Sequence, residues 1–182
     1  MKNYKRDYAL LSLCGLNCGL CTMHIDGYCP GCGGGDGHQS CKIVKCAITT
    51  SSPEFCSLCS EYPCENYEHI KDFDSFITHQ NMFANLKKLN NIGIEQYKKE
   101  LEEKIKILNL LLNKYNDGRK KSFYCLAVNL LELNDINEVI SKLHEKTRNE
   151  TDLKKKAKIA QELFNSAAKN KNITLKLNKK RK

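Results

Sequence analysis

The chain lacks tryptophan altogether and has only three prolines among its 182 residues. It also lacks any run of about 18 apolar residues, so we expect no segment to cross a membrane as a helix. The apolar stretch that follows the basic N-terminus, residues 9–13, is too short for the core of a signal peptide. The lack of a membrane-spanning run and of a signal-peptide core predicts a cytoplasmic protein without a membrane partner.

The sequence motifs of several enzyme classes are missing as well. No glycine-rich phosphate loop, nucleophile elbow or zinc-protease helix occurs in the chain. The carboxylates of Glu100, Glu102 and Glu103 are close in sequence, but we expect them on a solvated helix face. The sequence therefore leaves enzymatic activity open and favours a protein that is not an enzyme.

Cysteine, in contrast, is abundant: ten of the eleven lie between Cys14 and Cys64. In a reducing compartment, dense cysteines bind metal or do redox chemistry more often than they form disulfides. The intervening residues, rich in glycine and serine, cannot bury enough apolar surface to fold unaided, whereas structural zinc contributes on the order of 10 kcal/mol to folding. The segment therefore predicts a zinc module. The expected ligands are Cys14, Cys18, Cys21, Cys29, Cys32, Cys41, Cys46, Cys56, Cys59 and Cys64.

The spacing of the cysteines suggests two structural four-cysteine sites. Two cysteines separated by two residues reach one ion from a single turn, and Cys29-Pro-Gly-Cys32 has the proline and glycine that such a knuckle needs. Two cysteines then remain as extra ligands, as groups that contact ligands, or as a redox pair. The expected sets are Cys29, Cys32, Cys41 and Cys46, then Cys18, Cys21, Cys56 and Cys59, with Cys14 and Cys64 left over.

Other interpretations of this segment stay open. His24 and His38 lie inside it and could each replace a thiolate, although such histidines are more often exposed in loops. Ligation by four thiolates does not separate zinc from an iron–sulfur cluster, so an iron–sulfur or thiol redox protein is the alternative. Residues 14–21 also have the cysteine spacing of radical enzymes that use S-adenosylmethionine, but the alternating strands and helices those enzymes need do not follow.

The rest of the chain has the composition of helices with a period near 3.6 residues. The predicted class is mainly α, with an irregular cysteine-rich metal-binding module at 1–70, a helical domain at 71–170 and a basic tail at 171–182. Residues from Ile173 alternate like a strand before the tail becomes basic, and Asp152 is expected in the first turn of the last helix. The predicted helices cover 81–90, 94–115, 122–133, 136–146 and 151–168.

Charge is unevenly distributed along the chain. Residues 1–70 have five Lys or Arg against seven Asp or Glu, whereas residues 71–182 have twenty-five against fourteen. Clustered cations attract phosphates, so nucleic-acid binding through the basic C-terminal half is one alternative function. The tail has no aromatic residue on which bases could stack, and a solvated tail explains the same charge. We therefore expect an interaction or regulatory module with a protein partner.

The motifs resemble a widespread bacterial and archaeal cysteine-rich family, catalogued as domain of unknown function three-seven-nine-five. The resemblance reaches to about Leu133 and implies bound metal, zinc, without an established activity. It also includes Cys125, beside an aromatic residue; such an isolated cysteine usually packs as a small apolar side chain, and a thiol directed toward the metal module is the alternative. The matching segments are Cys14-Gly-Leu-Asn-Cys18-Gly-Leu-Cys21, Cys29-Pro-Gly-Cys32, Cys41 with Cys46, Cys56-Ser-Leu-Cys59-Ser-Glu-Tyr-Pro-Cys64, 85–94 and 117–125.

Overall fold

The structure is a computed structural model that describes residues 4–50 and 53–179. Helices are its regular elements, and within the described ranges the only β pairing is an isolated bridge between Lys5 and Gly34. The predicted class, mainly α with an irregular cysteine-rich start, is confirmed. The helices are α1 Thr22–Ile25, α2 Lys42–Thr50, α3 Met82–Ile92, α4 Ile94–Lys114, α5 Lys121–Leu130, α6 Leu133–Lys146 and α7 Leu153–Asn170.

Five of these helices were predicted with small shifts of their ends, and α1 and α2 were not. Helix α2 lies among the cysteines, where the glycine-rich surroundings indicated irregular chain, yet it buries Ile43 and Val44 on one face. The strand expected from Ile173 is wrong: residues 173–179 form no strand. The last residues of the basic tail, 180–182, lie outside the described residues.

The chain divides into two compact units. The cysteine unit comprises the described residues through Leu101 together with those from Leu177, and the helical unit comprises Glu102–Lys176. The division falls within α4, whereas the change of composition lies near residue 70. The domain boundaries expected from composition therefore remain a prediction.

The helical unit is built on buried apolar side chains. Helix α7 packs on α5 and α6, and both Tyr124 and Phe164 are fully buried. The polar ends of the core also have partners: Tyr124 donates to the carbonyl of Tyr115 at 2.7 Å, and Lys104 Nζ donates to the carbonyl of Leu131 at 2.6 Å. Full burial of a side chain the size of phenylalanine contributes about 1.5–3 kcal/mol, so this core is the main source of stability here. No helix in the described ranges is both long and apolar enough to span a membrane.

The cysteine unit holds its first cysteines in place by packing a knuckle against α3. Gly15 has φ +91° and lies so close to α3 that a Cβ there would come within 2.3 Å of the carbonyl oxygen of Met82. The side chain of Asn85, one turn further along α3, donates to the carbonyl of Gly15 at 2.8 Å. Only glycine permits this approach, so the residue after Cys14 fixes where the first thiol lies.

Candidate metal centre

The structure groups eight of the ten cysteines into two clusters, each drawn from distant parts of the sequence. The sulfurs in the first group, which we call the inner cluster, are near enough to raise one another's pKa. Burial raises the pKa of the Cys14 thiol to about 12, and the neighbouring sulfurs of Cys32 and Cys41 add to the rise. The inner cluster consists of Cys14, Cys18, Cys32 and Cys41.

Tight turns position the thiols of the inner cluster. Gly31 has φ +91°, and a Cβ there would lie 2.4 Å from the carbonyl oxygen of Ala9, so the expected glycine in the Cys29–Cys32 knuckle has a clear steric reason. The next amide, that of Cys32, donates to the same carbonyl at 2.9 Å. Ser12 Oγ lies 3.0 Å from Cys14 Sγ. The inner sulfurs are thus fixed by backbone that packs on the N-terminal segment.

A buried arginine lies beside the inner cluster. The Arg6 side chain is 2% exposed, forms an ion pair with Glu54 at 2.7 Å and donates to the carbonyls of Leu11 and Glu54. Its positive charge and a hydrogen bond lower the pKa of Cys32, against the larger rise that burial causes. Arg6 Nε is buried and has no hydrogen-bond partner. The cluster therefore has a cation and an unused donor at its edge.

The second group, which we call the outer cluster, lines a cavity of about 30 Å³. This volume is enough for one or two atoms the size of a water molecule. Burial raises the pKa of Cys56 to about 11, and the sulfurs of Cys64, Cys59 and Cys46 raise it further. The outer cluster consists of Cys46, Cys56, Cys59 and Cys64.

Helix α2 and two short 3₁₀ turns position the outer cluster. Cys46 projects from α2, and Cys56 begins the turn Cys56–Leu58, whose amide is anchored on the carbonyl of Leu13 at 2.9 Å. Because Leu13 directly precedes Cys14, this hydrogen bond links the backbone of the two clusters. The side-chain amide of Asn66 donates to Cys64 Sγ at 3.7 Å.

Tyr67 is the buried donor at the outer cluster. Its ring packs edge-on against Tyr62, with ring centroids 5.1 Å apart. The hydroxyl is buried and lacks a hydrogen bond of normal geometry, although it lies near enough to Cys56 to lower the pKa of that thiol. Burial raises the pKa of Tyr67 itself, so the hydroxyl stays a donor. Its natural acceptor would be a thiolate at Cys56, which a neutral thiol replaces poorly.

The remaining two cysteines, Cys21 and Cys29, lie beside Cys18 of the inner cluster, which lines the same cavity. Cys21 and Cys29 face a larger cavity of about 170 Å³, and His24 and His38 line the same space. The two histidines that the sequence left as alternative ligands therefore share a cavity with this pair. Cys125 is buried in α5 of the helical unit.

These groupings differ from the pairs that sequence spacing suggested. Cys46 shares its cavity with Cys56, Cys59 and Cys64, whereas spacing placed it in a set with Cys29, Cys32 and Cys41. The two cysteines outside these clusters are Cys21 and Cys29, whereas spacing left Cys14 and Cys64; which cysteines share an ion stays a prediction. Spacing favours neighbours in sequence, whereas Cys41 directly precedes α2 and Cys46 lies in the middle of that helix, more than one turn further along. None of the ten forms a disulfide.

Within residues 4–50 and 53–179, no three His, Cys, Asp or Glu side chains are arranged closely enough to hold a metal ion. Thiolates repel one another, so we expect four of them to come together only where a cation offsets their charge.

The chain matches no family model, no curated protein and no solved structure. The resemblance to the cysteine-rich family therefore stays a prediction. The remaining evidence is the chemistry of the residues. Each cluster has four thiols, and beside each cluster lies a buried hydrogen-bond donor that lacks an acceptor of normal geometry. A thiolate bound to a cation would supply that acceptor, so the residues fit a divalent, sulfur-preferring ion such as zinc.

Sequence reasoning could not have found Arg6 and Tyr67. Neither belongs to a cysteine motif, and each comes to the sulfurs only through the tertiary fold. The single available signal was an arginine in a segment that has just five basic residues among its first 70.

Proposed function

We propose that the protein is a cytoplasmic zinc protein in which the inner and the outer cluster each bind one structural ion. The observation that carries this proposal is a buried donor atom, without a hydrogen bond of normal geometry, on one side chain beside each four-thiol cluster. These side chains are Arg6, which acts on the pKa of Cys32, and Tyr67, which acts on the pKa of Cys56. A buried donor without a partner costs about 1–3 kcal/mol. Both donors would gain an acceptor, and both free-energy costs would be removed, if the neighbouring sulfurs were negatively charged thiolates.

When bound, zinc supplies a tetrahedral crosslink and stabilises the thiolate form of its ligands. The residues of the chain provide the surroundings. Arg6 contributes a positive charge next to the inner sulfurs, and Ser12 Oγ can donate to Cys14 Sγ at 3.0 Å. Asn66 donates to Cys64 in the outer cluster. Such contacts orient the ligands, and their loss typically weakens metal binding 10- to 100-fold.

Two closed sites favour a role in interaction or regulation. Four thiolates around one ion leave no position for water or substrate, so these sites argue against hydrolysis. The proposed partner is another protein. Binding of nucleic acid by the basic region stays an alternative, but several of its cations pair with acids on their own helix, such as Lys158 with Glu162 at 4.0 Å.

The test is elemental analysis with a visible spectrum, on full-length protein purified without oxygen. The proposal expects about two tightly held zinc ions per chain and no colour, one for each closed four-thiolate site. Iron with acid-labile sulfide in a brown sample would contradict it and favour the iron–sulfur alternative. Cys59→Ser should lower the tightly held zinc by one, while Cys125→Ser, in the helical unit, serves as the matched control.

A further inference from the structure

Ser75 and His79 form a hydrogen-bonded pair in the loop that precedes α3. Ser75 Oγ lies 3.1 Å from His79 Nε2, and His79 Nδ1 lies 2.6 Å from the carbonyl oxygen of Ile70. A carbonyl can only accept, so Nδ1 carries the proton and Nε2 of the neutral ring is an acceptor. The Ser75 hydroxyl also has the carbonyl oxygen of Ile77 within reach, at 3.4 Å. The shorter contact is the one to the histidine, and a serine nucleophile needs this contact to its base.

Asp74 and the carbonyl of Ile70 hold His79 in place. One carboxylate oxygen of Asp74 accepts from the amide of His79 at 2.6 Å, and the other accepts from the amide of Asn178 at 2.7 Å. The amide of Asp74 donates in turn to the carbonyl of Asn178 at 2.7 Å. His79 is therefore fixed both at its backbone and at its ring. The Ile70 carbonyl occupies the position that a carboxylate has in a catalytic triad, where it orients the histidine.

Ser75 lines the cavity of about 170 Å³, as do Phe76 and Ile77. Ser75 is exposed and Ile77 is buried, so the hydroxyl can be reached from solvent at the edge of an apolar space. The volume is below the roughly 300–1,000 Å³ of pockets for drug-sized ligands, which favours a short acyl group as the occupant. The other apolar side chains of the lining include Leu16, Met23 and Tyr28.

Two backbone amides that follow Ser75 are without an acceptor. In the part of the chain that the structure describes, the amides of Phe76 and Ile77 donate to no backbone carbonyl and to no side chain. The amide of the residue after a nucleophile is a common member of an oxyanion hole. Free amides beside the hydroxyl can therefore stabilise the negative charge that develops on the carbonyl oxygen of a bound ester.

We propose that Ser75 is the nucleophile of an esterase site, with His79 as its general base, for esters whose short acyl group fits the cavity. Ser75 Oγ forms a bond to the carbonyl carbon of the ester while its proton passes to His79 Nε2. The bond from that carbon to the alcohol oxygen then breaks, and the leaving alcohol takes the proton. Water next attacks the acyl-enzyme and gives a proton to His79 Nε2. The carboxylic acid leaves as this proton returns to Ser75 Oγ. The site uses neither cysteine cluster, so it goes beyond the proposed function.

The test is hydrolysis of p-nitrophenyl butyrate by the full chain purified without oxygen, together with labelling by a fluorophosphonate probe. Wild-type protein should release many equivalents of nitrophenol per chain, and peptide mass mapping should place the probe on Ser75. Ser75→Ala should abolish both signals. His79→Gln should lower kcat about 100-fold or more, because a general base contributes about 10²–10⁴-fold. Ser141→Ala, at an exposed serine of α6, is the matched control and should leave the activity unchanged.

The outcomes separate this proposal from the chemistry of the thiols. Cys18, Cys21 and Cys29 line the same cavity, so release of one equivalent of nitrophenol without turnover would indicate an acylated thiol and overturn the esterase site. Labelling is measured on the wild type, so its absence would overturn the site however the variants fold. That result in protein with two zinc ions would leave the proposed function standing. Turnover through Ser75 in protein without zinc would support the esterase site and contradict the proposed function alone.

Discussion

The two units of the molecule differ in whether their buried polar groups have hydrogen-bond partners. In the helical unit, the buried Tyr124 hydroxyl and the Lys104 ammonium each reach a backbone carbonyl, at 2.7 and 2.6 Å. In the cysteine unit, Arg6 Nε and the Tyr67 hydroxyl are buried without a hydrogen bond of normal geometry, and the two side chains act on the pKa of Cys32 and of Cys56. The buried polar groups of the helical unit are thus satisfied within the polypeptide, whereas those two donors of the cysteine unit are not.

The units also differ in how the chain is held locally. Long helices organise the helical unit, while the cysteine unit up to Tyr67 relies on two short helices and three single 3₁₀ turns. Short turns supply few hydrogen bonds per ordered residue, so ordering them requires another source of free energy. We infer that this source is metal ligation, and the comparison can be tested by removing it.

Removing the metal should have the largest effect, and it should be confined to the cysteine unit. Zinc ligation is worth on the order of 10 kcal/mol in small modules. After anaerobic chelation, amide hydrogen exchange should accelerate strongly from residue 4 to Leu101 and little in Glu102–Lys176. Protection should return when zinc is added back. Unchanged protection in the stripped protein would show that the apolar core of the cysteine unit suffices.

A substitution that leaves a cavity in the helical unit should destabilise that unit and leave the cysteine unit with its metal. Phe164 is fully buried, and Phe164→Ala should destabilise the helical unit by about 4 kcal/mol, as measured by urea unfolding followed by circular dichroism. Metal content should not change. Phe76→Ala, at a side chain 54% exposed, is the control and should cost little. Loss of zinc in the Phe164 variant would refute the separation of the two units.

Tyr67→Phe should change zinc affinity and stability by a smaller amount, and the direction of the change shows whether Cys56 is a metal-bound thiolate. If Cys56 is a metal-bound thiolate, the variant loses a hydrogen bond to a charged group, about 2 kcal/mol, and zinc binds about tenfold more weakly. If Cys56 stays a neutral thiol, the variant removes a buried donor without a partner and stability is equal or higher. Competition with a chelator measures the difference. Tyr62→Phe, at a neighbouring half-buried ring, is the matched control.

Sequence patterns predicted most of the helices because their signals are local. The apolar period of α4 and the glycine at position 118 beyond its end are properties of adjacent residues, and α4 ends at Lys114, one residue before the predicted end. Helix α2 was missed because it is short and surrounded by glycine and cysteine. The strand expected from Ile173 failed because an alternating pattern forms a strand only where a partner strand exists.

The candidate site was predictable in composition and not in arrangement. That residues 14–64 form a metal module remains an inference from their cysteine content. The grouping depends on contacts between distant segments, such as the amide of Cys56 on the carbonyl of Leu13. Spacing within the sequence has no information about those contacts, so it could not show that Cys46 shares a cavity with Cys56, Cys59 and Cys64.

The smallest expected change in stability comes from removal of a helix cap, and it tests whether capping stabilises the helical unit. Asp152 caps α7: its carboxylate accepts from the amides of Lys154 at 2.8 Å and Lys155 at 3.4 Å. Asp152→Ala should cost about 1 kcal/mol of unfolding free energy, because two amides of the first turn lose their acceptor. Asp152→Asn keeps an acceptor oxygen and should retain most of the stability. Thermal unfolding followed by circular dichroism distinguishes the two variants, and zinc content should be the same in both. If Asp152→Ala lowered the zinc content instead, helix capping would affect the cysteine unit and the contrast between the units would fail.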